Sequence, residues 1–152
     1  MGQQDHGINN KLQEKDLYFV AVKLFLRDLD RLLITHDIFG AWDLPGGRIR
    51  KGEFDKPLEA VIKRKVVEEL GPSVRYELGE PKIFFRVERQ EHDLNNQTVR
   101  IFAVGYEARY LGGEIEIGEH HDRMEWVDVN DFRPEQYFKG GWLTGLQEYL
   151  SK

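Results

Sequence analysis

Trp42-Asp43-Leu44-Pro45-Gly46-Gly47 opens the stretch on which the fold turns, and Arg64-Lys65-Val66-Val67-Glu68-Glu69-Leu70-Gly71-Pro72 closes it. The first segment is a short strand-like run broken by a proline and two glycines. A charged loop carrying Glu53 follows. From Leu58 the apolar residues Val61, Ile62, Val66 and Leu70 recur at helical spacing. Asp55 reads as the N-cap of that helix, with Pro57 in its first turn, where a missing N–H costs little. Gly71 supplies a left-handed cap and Pro72 cannot continue the ladder. Two adjacent carboxylates, Glu68 and Glu69, therefore stand at the end of a helix that follows a glycine turn. Each helical step turns about 100°, so the two diverge modestly and address adjoining parts of one site. Arg64 lies four residues before Glu68, where it can hold that carboxylate.

Outward from this stretch the chain reads as strands. Leu17 to Leu26 places Tyr18, Val20, Val22, Leu24 and Leu26 on one face; the other mixes Phe19, Ala21 and Phe25 with Lys23. Arg31 to Thr35 resumes an extended pattern and pairs with it as a hairpin. Beyond the helix, Lys82 to Arg89 and Thr98 to Arg109 read as strands around a turn-rich loop, His92 to Asn96. A polar loop, Glu119-His120-His121-Asp122, precedes Met124 to Val129. Phe138, Trp142, Leu146 and Leu150 form a packing stripe on a terminal helix, which Gly140, Gly141 and Gly145 are expected to weaken. Strands, a helix, more strands and a last helix predict an α/β fold with a mixed sheet covered on two faces. Residues 1–14 read as a loose arm and residues 15–152 as a single domain.

Composition narrows the function. Hydrophobic residues make up 40% and aromatic residues 12% of 152, which suits a globular chain with a real core. The absence of cysteine excludes disulfides, thiolate catalysis and cysteine zinc sites, and fits a cytoplasmic location. No apolar run approaches the roughly 20 residues that span a bilayer, so no membrane partner is expected. A net charge of -5 argues against a broad duplex-binding surface. A small anionic substrate remains compatible if a metal ion brings positive charge to an acidic pocket.

The carboxylate helix suits such an ion. Mg2+ takes hard oxygen ligands and shares them with water and substrate phosphate. Glu68 and Glu69 offer carboxylates, and Gly46 offers a carbonyl where the double glycine lets the backbone come close. Arg64–Glu68 and Lys65–Glu69 are also i,i+4 pairs of the kind any solvated helix carries. The glycines and Glu53 ahead of the helix are what favour a site over a charged surface.

The stretch resembles the signature box of the Nudix hydrolases, G-x5-E-x7-R-E-U-x-E-E-x-G-U, where U is bulky and aliphatic. Gly47 and Glu53 match its first part; Arg64, Val66, Glu68, Glu69 and Gly71 match its second. Three features depart from it. Ten residues separate Glu53 from Arg64, the excess being assigned to Phe54–Lys56 with one residue lengthening or bulging the helix. Pro72 replaces the last aliphatic residue. Lys65 stands where the family normally has a glutamate, so fewer metal ions are expected here.

The resemblance implies a Nudix-like α/β/α sandwich and a metal-dependent pyrophosphohydrolase cleaving the diphosphate linkage of a nucleoside diphosphate joined to another group. It implies Mg2+ or Mn2+ held by Glu68 and Glu69, with Gly46 and Glu53 as further metal-site residues. Arg64 would orient carboxylates, and Lys65, on the face of Glu69, would repel one cation or substitute for one as a fixed positive charge against phosphate. For water activation Glu119 is the first candidate and His120 the second. Arg86, Arg89, His36 and His120 are candidate substrate contacts, arginine suiting phosphate through its planar fork. Two other readings stay open: a catalytically impaired domain that senses a nucleotide, and an enzyme acting on RNA 5′ ends. The long strands would also support a homodimer.

Overall fold

A computed structural model describes Lys11, residues 13–91 and residues 94–152. The expected arm thus falls outside the described residues except for Lys11, Gln13 and Glu14, and so do His92 and Asp93 of the turn-rich loop.

Seven strands of the described residues form one mixed sheet: β1 (Phe19–Asp28), β2 (Arg31–Asp37), β3 (Trp42–Asp43), β4 (Gly46–Arg48), β5 (Arg75–Glu91), β6 (Gln97–Gly112) and β7 (His121–Asp128). The main order is β3-β2-β1-β6-β5, with β4 also on β1 and β7 also on β2. Only β1 and β6 run parallel, from Phe19 opposite Ile101 to Arg27 opposite Arg109. The other pairs are antiparallel. At its far end β1 pairs with β2, whereas nearer its start Ala21, Val22 and Lys23 pair with Arg48, Gly47 and Gly46. The chain therefore crosses from β2 to β1 through Asp43–Gly46, and the glycine turn lands beside Lys23.

Strand alternation sends successive β1 residues to opposite faces. Val22, Leu24 and Leu26 join Val61, Ile62, Val66 and Leu70 of helix α1 (Leu58–Leu70) in one core. Ala21 and Phe25 join Phe85, Leu146 and Tyr149 in the other, which lies under helix α2 (Gly140–Leu150). The result is the expected α/β/α layering around a mixed sheet.

Three local expectations change. Pro57, not Asp55, occupies the N-cap position of α1, and no side chain caps the helix. A residue before proline is pushed out of the helical region, so α1 cannot begin at Lys56. The helix is continuous α from Leu58 to Leu70, with no bulge; the extra box residues fall in the turn before it. The glycines of α2 serve docking: a Cβ at Gly141 would meet the Arg86 carbonyl oxygen at 1.9 Å, and one at Gly145 would meet the Phe85 ring at 2.7 Å. Their lost helix propensity is exchanged for close approach to β5.

Candidate active site

Glu69 lies where the glycine turn meets α1. Its residue is 7% exposed, and its Oε1 accepts the Gly46 N–H at 2.9 Å. Gly46 has φ +136°, and a Cβ there would stand 2.1 Å from the Val22 carbonyl oxygen, so only glycine brings this N–H to the carboxylate. Burial raises the Glu69 pKa more than Lys23, Lys65 and the Gly46 hydrogen bond lower it. One helical step earlier, Glu68 receives Arg50 at 3.1 Å, Arg64 at 3.2 Å and Lys65 at 3.2 Å. Desolvation alone would raise its pKa; Lys65 and Arg64 together hold it below the ordinary value.

Glu53 does different work. Both of its oxygens take the Arg64 guanidinium, at 2.7 and 2.8 Å, and Oε1 also accepts the Arg50 N–H at 2.8 Å. The two Arg64 hydrogen bonds come first among the causes that lower its pKa to about 2. Glu53 thus ties the loop to α1 through Arg64, which in turn reaches Glu68. Its oxygens are engaged in that fork, not directed at Glu69.

The C-terminal end of α1 brings in the next residues. Its last carbonyls need donors. The Glu116 N–H bonds the Leu70 carbonyl at 2.9 Å, and the Gly118 N–H bonds the Glu69 carbonyl at 3.1 Å. A Cβ at Gly118 would lie 2.1 Å from the Glu68 carbonyl oxygen, so glycine is required there too. This docking carries His121 inward. Its side chain is 6% exposed, Nε2 stands 4.0 Å from Glu69 Oε2, and Nδ1 has no hydrogen-bond partner among the described residues. Burial depresses its pKa.

These groups line a cleft of about 400 Å³ that also takes in Lys23, Asp43, Arg48, Arg89, His120 and Trp142. Lys23 is buried, bonds Asp43 at 3.0 Å and the Leu44 carbonyl at 3.3 Å, and lies 4.9 Å from the centre of the Trp142 ring. Of the candidates read from sequence, Gly46, Lys65, Glu68, Glu69, Arg89 and His120 line this cleft. Gly46 meets Glu69 through its N–H.

Other candidates lie elsewhere. Glu119 is exposed on the preceding loop and does not line the cleft, unlike His120 and His121 that follow it. His36 pairs with Asp122 at 2.7 Å, lies edge-on to Trp42 and does not line the cleft. Arg86 shares a face of β5 with Glu88, opposite to Arg89, and lines a separate depression with Tyr18 and Arg100. Sequence reasoning missed Lys23, Asp43 and Arg48, and within the Glu119–Asp122 loop it ranked Glu119 and His120 ahead of His121. For Lys23 a signal existed: one lysine in an otherwise apolar inward face.

Among the described residues, no three His, Asp or Glu side chains converge as a metal cage. The donor set fits a cation that arrives with phosphate oxygens and needs one or two carboxylates.

A mixed sheet between two helices, with a glutamate pair against a glycine turn, defines a Nudix-type site. A NUDIX domain model matches residues 17–143, and the chain belongs to that family, whose members generally use a divalent metal. Its class of activity is that of a Nudix-type pyrophosphohydrolase. A Mycobacterium tuberculosis protein named "Putative 8-oxo-dGTP diphosphatase 2" is 27% identical over 117 residues, covering 76% of this chain and 74% of its own. The MutT protein of Methanosarcina mazei Go1 superposes with a TM-score of 0.71 at 18% identity, over 89% of this chain and 94% of its own. An ADP-ribose pyrophosphatase of Streptococcus suis gives 0.62 at 20% identity, over 89% and 91%. At these identities the structural likenesses show the fold alone.

Proposed function

We propose that this protein hydrolyses the diphosphate linkage of a nucleoside diphosphate joined to another group, in a Mg2+-dependent reaction at the Glu68–Glu69 cleft. The observation that carries this reading is the buried Glu69 carboxylate fixed by the Gly46 N–H at the floor of a cleft that also presents Lys23, Arg48, Lys65 and Arg89. Carboxylates alone would repel a diphosphate; the surrounding cations offset that charge. A divalent cation, when bound, polarises phosphate oxygens and orients water, and Glu69 with Glu68 would hold it. Lys65 and Arg89 bind and align the phosphate chain. Water activation is assigned to His121, whose ring lines the cleft with Nε2 4.0 Å from Glu69 Oε2, in place of exposed Glu119.

The test is incubation with a nucleotide panel and Mg2+, followed by chromatography of products. Metal-dependent cleavage of at least one nucleoside diphosphate derivative is expected. Glu69→Gln retains an acceptor for the Gly46 N–H but loses the charge. It should reduce turnover by about 100-fold or more, the scale seen when a preorganised charged contact is lost, while leaving the melting temperature nearly unchanged. Activity near the wild-type level in that variant would refute the assignment.

A sensor is the second reading, and the position of Lys65 favours it. Its ammonium stands 3.2 Å from Glu68 and 3.9 Å from Glu69, in the space between the two carboxylates. Thermal stabilisation by a nucleotide without products would select this reading.

A further inference from the structure

We propose that before nucleotide binds the Lys65 ammonium occupies the place between Glu68 and Glu69 that a divalent ion would otherwise take, so that the free protein carries a built-in cation at this point of the cleft. The inference rests on the reading of the cleft as a diphosphate site but concerns the protein before any nucleotide binds.

Lys65 Nζ lies 3.2 Å from Glu68 Oε2 and 3.9 Å from Glu69 Oε2, so one ammonium serves both carboxylates. A divalent ion with oxygens at about 2.1 Å would have to enter that same space. It would also face a positive charge a few ångströms away, which opposes its entry. Glu68 is further neutralised by Arg50 and Arg64, which leaves it little attraction for a second cation.

Gly47 makes the arrangement possible. A Cβ on Gly47 would stand 2.6 Å from Lys65 Cε and 3.1 Å from Nζ. The lysine stem therefore lies across the bare glycine backbone to reach the carboxylates. Gly47 has no positive φ that would itself forbid alanine. A methyl there meets the end of a flexible side chain, so the ammonium moves and the fold stays. A phosphate oxygen that enters the cleft then meets a compact point charge with three donors, which is how lysine binds phosphate.

The experiment is Mn2+ binding to the full chain without nucleotide, by electron paramagnetic resonance of free Mn2+ and by calorimetry. Lys65→Glu should add a Mn2+ site absent from the wild type or tighten binding by about tenfold or more, as expected when a repelling charge becomes a ligand. Lys65→Met should shift affinity in the same direction by less. Gly47→Ala should also raise Mn2+ affinity, and that gain should vanish in the Lys65→Met background, because the methyl acts by displacing the ammonium. Equal stoichiometry and affinity in the wild type and both Lys65 variants would overturn the proposal. So would a Gly47→Ala effect that persists without the lysine. If Lys65→Glu does not fold, Lys65→Met and the double variant decide the matter. Turnover plays no part in this readout, so failure here and failure to cleave nucleotides are separate results.

Discussion

Glu53 and Arg64 make a fork whose consequence is measurable in acid. The Glu53 carboxyl is buried, and the guanidinium with the Arg50 N–H lowers its pKa from 4.5 to about 2. A carboxyl with a depressed folded-state pKa contributes stability above its unfolded value and loses it as pH falls through the folded one. The window for Glu53 therefore runs from about pH 4.5 down to about pH 2. Glu53→Gln should lower the melting temperature at neutral pH and flatten its dependence across this window, measured by thermal denaturation at several pH values. An unchanged acid slope would show that the fork does not couple to folding. The sequence placed Glu53 and Arg64 in one box, but ten intervening residues hid that they meet. Only the turn at Lys51–Glu53 and the proline start of α1 bring the carboxylate back onto the guanidinium.

At the scale of elements, the cleft depends on how the Gly113–His120 loop seals the end of α1. Gly118→Ala would set a methyl 2.1 Å from the Glu68 carbonyl oxygen, and backbone cannot yield as a side chain does. Overpacking of this kind costs about 1–3 kcal/mol. The variant should melt lower, and it should lose activity beyond that expected from stability, because His121 follows directly on this loop. Gly52→Ala is the control: nothing lies within 4 Å of its added Cβ, so stability should change by no more than about 0.5 kcal/mol. Urea denaturation of both variants checks the contrast. Periodicity made α1 and its C-terminal stop readable from sequence. It gave no hint that the stop would be docked by a loop more than forty residues onward, since that contact obeys no local repeat.

For the whole molecule, the two cores on either side of one sheet set the stability. Leu146 is fully buried against β5 and β1 side chains in the core under α2. Leu146→Ala should cost about 2–5 kcal/mol, read as a shifted denaturation midpoint. A ligand that binds only the folded cleft raises stability by mass action, about 2.7 kcal/mol at a concentration 100 times its dissociation constant. A thermal-shift screen with nucleotides and Mg2+ therefore ranks ligands whether or not they are cleaved. Trp142 belongs to this scale. Its place in a helical packing stripe was evident, yet it also closes the cleft over Lys23 because α2 docks through Gly141 and Gly145.

The sequence alone determined the α/β class, the alternating faces of β1, the carboxylate helix and its glycine turn. All of these rest on periods of two or 3.6 residues and on fixed local spacings, which a linear chain displays directly. Tertiary structure decided which side chains meet. The pairing of β4 with β1 set Gly46 and Gly47 beside Lys23; the docking of the β7 approach brought His121 to Glu69 and left Glu119 outside. Contacts across the sheet depend on register and burial, and neither is written in the spacing of neighbours along the chain.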